Sequence, residues 1–129
     1  MKRLKNEKGQ AMVEFAIILP ILLLLVMGIT EFGMMMNSYL SVQNATREGA
    51  RAGIVGWSNE EVSDRIVNTT PSLRAENMTI NITPGDGSRN SGETLRVNIE
   101  YDYYLTVPII NRMFNEVITL NAETSMRIE

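Results

Sequence analysis

The 129-residue sequence predicts an α+β fold. A long N-terminal helix, membrane-spanning in its first half and exported in its second, packs against a small antiparallel sheet of about three strands, with one short extra helix. Three observations carry this reading. A basic head precedes an apolar run from Ala11 to Ile29. Beyond the run, apolar residues recur every three to four positions as far as Leu40, and small residues every four as far as Gly53. After Met78 the pattern changes to alternation with a period of two.

The head, residues 1–9, holds Lys2, Arg3, Lys5 and Lys8 against Glu7. It therefore takes four of the 12 basic and one of the 15 acidic residues, leaving the head at +3 and the rest of the chain at −6 within a total of −3. Residues 10–29 form the expected span. As a helix the apolar run reaches roughly 28 Å, close to the hydrocarbon thickness of a bilayer. Positive charge ahead of the run keeps the N-terminus in the cytoplasm and sends residues after Thr30 outside. A cleaved secretory signal has a shorter apolar region and a small-x-small site, which Val26–Glu31 does not offer. Pro20 is tolerated inside such a span.

Glu14 is the single charge between Gln10 and Thr30. A carboxylate costs about 2.5–3.5 kcal/mol at mid-span and less near an end. It either finds a partner or snorkels to the headgroups. The stretch Lys8-Gly9-Gln10-Ala11-Met12-Val13-Glu14-Phe15 resembles the short-leader signal of type IV pilins, in particular the Flp and Tad group. Glu14-Phe15 in place of the Glu-Tyr of Flp pilins is closer to the TadE-like pseudopilins. The resemblance implies a pilin-like fold and a prepilin peptidase cut between Gly9 and Gln10. It also implies that Glu14, fifth residue of the product, neutralises the new α-amine of an adjacent subunit. Each charge is costly alone and tolerable as a pair. The implied partners are the membrane, the peptidase, other pilins or pseudopilins and the Tad secretion machinery.

Residues 30–53 continue the helix outside the membrane. Ile29, Phe32, Met36 and Leu40 keep helical spacing, and Ser41, Ala45, Gly49 and Gly53 form a stripe of small residues that lets another backbone approach. Ala45, Gly49 and Gly53 are thus candidate helix-packing positions, for the protein's own sheet or for another subunit. Arg47, Glu48 and Arg51 lie in Arg47-Glu48-Gly49-Ala50-Arg51, which resembles the Arg-Glu-x-Ala-Arg core of TadE-like proteins.

Residues 54–129 make up the exported α+β domain. Ser58-Asn-Glu-Glu61 is a capping box. It opens a short helix to about Asn68, with Val62, Ile66 and Val67 inward and Pro71 beyond its end. The first strand turns Met78, Ile80 and Ile82 to one face. The second turns Leu95, Val97, Ile99, Tyr101 and Tyr103, and the third Ile118, Leu120, Ala122, Met126 and Ile128. One half-buried face per strand suits an antiparallel sheet lying on a helix. The first connection, Pro84–Gly92, reads as a turn, with Asp86 too isolated for a calcium site. The second is apolar, with Leu105, Val107, Ile109, Ile110, Met113 and Phe114. It either caps the core or forms a partner-binding edge. With 76 residues and no disulfide this domain is marginal alone, so the second half of the long helix is expected to complete its core.

The composition excludes much chemistry. Cys and His are both absent, which removes thiolate nucleophiles, the common zinc sites and the commonest general base. Glu60, Glu61 and Asp64 read as a solvated helix face. No catalytic residue, metal site, cofactor or nucleic-acid surface is expected. The sequence predicts a structural assembly protein, a pseudopilin or minor pilin by the resemblance. The competing reading is an unprocessed single-pass anchor presenting a binding domain outside the cell.

Overall fold

The computed structural model describes residues 2–129, with side chains from Asn6 onward. The side chains of Lys2, Arg3 and Lys5 in the basic head therefore lie outside the described residues. Helix α1 covers Lys2–Ile54. At 1.5 Å per residue its 53 residues extend about 80 Å. The sequence places the helix start near Ala11, but it runs unbroken through the head. Lys, Glu, Gln and Met are good helix formers, and one Gly costs only about 1 kcal/mol. The most apolar eighteen residues of α1 have a mean hydropathy of 2.7, and none of them is buried.

From Glu31 onward one face of α1 is covered. Glu31, Ser38, Val42, Ala45, Thr46, Ala50 and Ala52 are buried there. The stripe of Ile29, Phe32, Met36 and Leu40 points elsewhere and stays 40–65% exposed. The sheet brings large side chains of its own, so the helix face beneath it carries small residues and a few polar ones with partners.

Helix α1 ends in a double hydrogen bond, from Trp57 N–H to the Ala52 carbonyl and from Gly56 N–H to the Gly53 carbonyl, both 3.3 Å. Gly56 has φ of 102°, the left-handed conformation this ending requires. Helix α2, Asn59–Thr69, starts at the capping box. Ser58 Oγ accepts from Glu61 N–H at 3.2 Å, and Glu61 Oε2 accepts from Ser58 N–H at 2.8 Å. Val62 and Ile66 are fully buried. Val67 is not inward as the sequence suggests but 37% exposed, because it lies a further 100° round the helix from Ile66.

The sheet has strand order β1-β2-β3, all antiparallel, with β1 at Met78–Thr83, β2 at Thr94–Tyr104 and β3 at Val117–Arg127. Ile80 faces Ile99, and Ile99 faces Ala122 across the ladders. The inward residues of β2 (Leu95, Val97, Ile99, Tyr101 and Tyr103) are all buried. Thr124 shares the inward phase of β3, and its hydroxyl donates to Thr46 Oγ1 at 2.9 Å across the helix–sheet boundary. The β1–β2 connection braces the α1–α2 corner. Asp86 accepts from Asn59 N–H at 3.2 Å and Gly87 N–H at 3.1 Å, and Arg89 donates to the Trp57 and Pro84 carbonyls and to Asn59 Oδ1. The β2–β3 connection contains helix α3, Pro108–Met113.

Two glycines set how closely these layers meet. A methyl added at Gly49 would fall 2.6 Å from Ile66 Cδ1, and one at Gly53 would fall 2.4 Å from Leu95 Cδ2. Gly49 thus seats α2, and Gly53 seats β2. Gly33 has nothing within 4 Å of such a methyl. Gly53→Ala is expected to destabilise by about 1–3 kcal/mol through overpacking. Gly33→Ala is expected to stabilise by about 0.5–1 kcal/mol through helix propensity. Thermal melts of the full chain in detergent check both signs.

Candidate functional site

Two carboxylates on α1 define the candidate site, one bare and one enclosed. Glu14 lies on the uncovered segment, and its Oε1 accepts from Gln10 Nε2 at 3.2 Å, one helical turn back. Gly9 is open, with nothing within 4 Å of an added methyl. No cation approaches Glu14 among the described residues; the ion pairs found there are Arg65–Glu48 and Arg96–Glu123, both 3.4 Å and both exposed. Glu14, Ile18, Leu25, Ile29, Phe32, Met36 and Leu40 follow helical spacing along one face. That face is exposed from end to end, including the part where the opposite side of the helix is covered by the sheet.

Glu31 received no role from the sequence, yet it is the most enclosed acid among the described residues, only 3% exposed. Its Oε1 accepts from the Tyr103 hydroxyl at 2.9 Å and from Thr106 N–H at 3.0 Å, and its Oε2 accepts from Val107 N–H at 2.9 Å. The sheet thereby clasps the helix two residues after the expected end of the span. Hydrogen bonds to a charged group contribute about 1.5–3 kcal/mol each, enough for three to offset the burial of one carboxylate. Burial, and then the hydrogen bond and negative charge of Glu31, push the Tyr103 phenol up to about 12.

The Arg47-to-Arg51 stretch lies 16 residues beyond Glu31, more than four helical turns further along α1. Arg47 and Arg51 are exposed, whereas Glu48 is half-buried and pairs with Arg65 of α2. Glu48, Arg51, Ala52, Trp57 and Arg65 line a shallow groove open to solvent. Ala45 is fully buried beneath the sheet. Glu60, Glu61 and Asp64 are exposed, and Glu61 is occupied as the capping partner of Ser58. Among the described residues no three acids stand close enough to hold a metal ion together.

Residues 9–51 match the family model described as TadE-like protein. The chain carries a TadE-like segment. It opens at Gly9, closes at Arg51 and takes about a third of the chain, all of it within α1. The TadE-like segment thus contains Glu14, Glu31, the exposed apolar face and the Arg47–Arg51 stretch. No curated protein and no solved structure matches the chain.

Two outcomes follow for the clasp. Glu31→Ala is expected to destabilise the chain by about 1–3 kcal/mol for each buried donor left without an acceptor, read from melts in detergent. The phenol of Tyr103 holds its proton more tightly folded than unfolded. Its contribution is therefore complete below pH 10 and is lost as pH rises from 10 to about 12. Over that window wild-type stability should fall by about 2–3 kcal/mol more than that of Tyr103→Phe. Ultraviolet titration should show one late phenolate that the same variant lacks.

Proposed function

We propose that the chain is a pseudopilin or minor pilin, cut by a prepilin peptidase between Gly9 and Gln10 and then used in assembling a Tad-type pilus. One observation carries this reading: the TadE-like segment opens at Gly9 and runs along a helix face that stays apolar and uncovered from the span to Leu40. Before the cut, the basic head holds the N-terminus in the cytoplasm and the α+β domain stands outside the cell membrane. After it, the product begins with a positive amine at Gln10, four residues before a bare carboxylate on that same uncovered face.

Chemistry favours a role in packing. A helix with no buried residue in its apolar span is stable in lipid, or among other apolar helices that replace the lipid. Glu14 penalises the second environment unless a cation meets it, and the amine of a neighbouring subunit supplies one. The pair then fixes the stagger between subunits, since a shift of one turn leaves both charges unpaired. No step in this function requires the chain to catalyse a reaction.

Intact mass of the protein extracted from membranes tests the reading. Loss of residues 1–9 is expected in cells with active prepilin peptidase. A full-length species there would point instead to an unprocessed anchor. Gly9→Leu should abolish processing. Glu14→Gln should be cut normally, yet co-assemble with partner subunits about tenfold less, the equivalent of ~1.4 kcal/mol. Normal co-assembly of that variant would remove the charge-pairing role.

A further inference from the structure

The two ends of the sheet differ in chemistry, and the helix fixes which end faces the membrane. Strand β2 begins with Leu95 over Gly53 and ends with Tyr103 bonded to Glu31, so it runs back along α1 toward the apolar span. The β1–β2 connection, at the far end, is Pro84-Gly-Asp-Gly-Ser-Arg-Asn-Ser-Gly92, with no large apolar residue after the proline. The β2–β3 connection, at the near end, is closed at its neck by Leu105 N–H donating to the Glu116 carbonyl at 3.0 Å. Leu105 is buried and Ile110 packs against the core, so these two cap it. Ile110 also reaches Gly28, lying 4.0 Å from where a methyl on that residue would stand.

Three large apolar residues of the same connection are left over. Ile109 is 50% exposed, Met113 65% and Phe114 63%. They do not serve the core, and they belong to the same short connection as Val107 and Ile110, which reach Glu31 and Gly28 where the span ends. Asn111 and Arg112 lie between them, and Asn115 and Glu116 follow. Apolar side chains mixed with a snorkelling cation and short polar groups suit the zone between headgroups and acyl chains.

We propose that the α3 connection is a second membrane contact, lying on the outer leaflet with Ile109, Met113 and Phe114 among the upper acyl chains and Arg112 at the phosphates. This rests on the reading that residues 10–29 span the bilayer. The occupant is lipid because the patch adjoins the exposed apolar surface of the span at the end where the span closes, beside Gly28. Together with the Glu31 clasp, this contact holds the sheet upright against the leaflet and fixes how the domain stands on the membrane.

The full chain in phosphatidylcholine–phosphatidylglycerol vesicles at high lipid dilution tests this. Trp57 is the one native tryptophan and lies some 40 Å along the chain axis from Gly28, so lipids brominated on their acyl chains should leave it unquenched. In a Trp57→Phe background, Phe114→Trp or Met113→Trp should be quenched about twofold or more by bromines just below the headgroups, as for a ring ~5–10 Å into that boundary. Both positions are exposed, so neither substitution disturbs the core. Leu22→Trp reports on the span. If Leu22→Trp is quenched and the α3 positions are not, the contact is refuted while the span stands. If the α3 positions shift to the blue only at high protein density and without quenching, they meet protein rather than lipid, and the proposal fails. If Leu22→Trp is also unquenched, the spanning reading fails and takes the contact with it.

Discussion

Glu31 is bonded where the uncovered apolar half of α1 gives way to the half that the sheet covers. Below it, α1 is uncovered apart from Ile110 reaching Gly28, and it presents apolar residues on every side. Above it, the same helix is half core and half surface. At this end of the helix, apolar contact alone fixes the sheet's position only loosely, because dispersion and burial are non-directional. Three directional hydrogen bonds to one buried carboxylate remove that freedom. Sliding by one helical turn would strand the acid and two backbone donors together, an expensive combination in a dry site. The register of helix and sheet is therefore set by polar chemistry at the membrane end.

At the other end it is set by sterics. Gly53 admits Leu95 and Gly49 admits Ile66 at distances that no side chain on the helix would allow. The corner is then held by the left-handed Gly56, by the capping box of Ser58 and Glu61, and by Asp86 and Arg89 reaching over from the β1–β2 turn. A domain of this size without disulfides has little core to spare. It borrows one from α1, whose Val42, Ala45 and Ala50 are fully buried. The second half of the helix belongs to the fold of the domain it carries.

The strands were legible because a half-buried strand writes its burial directly as a period of two, and the inward residues of β2 were named without exception. The capping box was legible because its four residues are local. Glu31 was not, because its partners are 72 to 76 positions away and a lone acid after an apolar run looks like one that meets headgroups. The orientation of the outer helix was hidden for a related reason. Its largest apolar residues, Phe32, Met36 and Leu40, lie outside, while the buried face is written in Ser38, Val42, Ala45 and Thr46. Hydrophobicity alone points the helix the wrong way, and only the stripe of small residues at Ala45, Gly49 and Gly53 marks the covered side. Helix α1 starts ahead of the apolar run, at Lys2, because a single Gly among good helix formers is too weak to impose a boundary.

Under the proposed function, the division of α1 into two faces bears on how the chain passes from membrane to assembly. The face under the sheet is committed, since every residue on it already has a partner within the chain. The opposite face, from Glu14 through Ile29 to Leu40, has none, and it crosses the membrane boundary without a change of character. Leaving lipid exposes that whole strip at about 25 cal/mol per Å² of apolar surface, a cost no water-facing state of one chain recovers. Only other helices of the same kind, arriving as the lipid departs, can balance it. Beyond the span, where lipid cannot follow, Phe32, Met36 and Leu40 carry the strip on at the height of the folded domain. In the pseudopilin reading proposed above, that exposed ribbon gives neighbouring subunits a continuous seam from the span to the domain they carry.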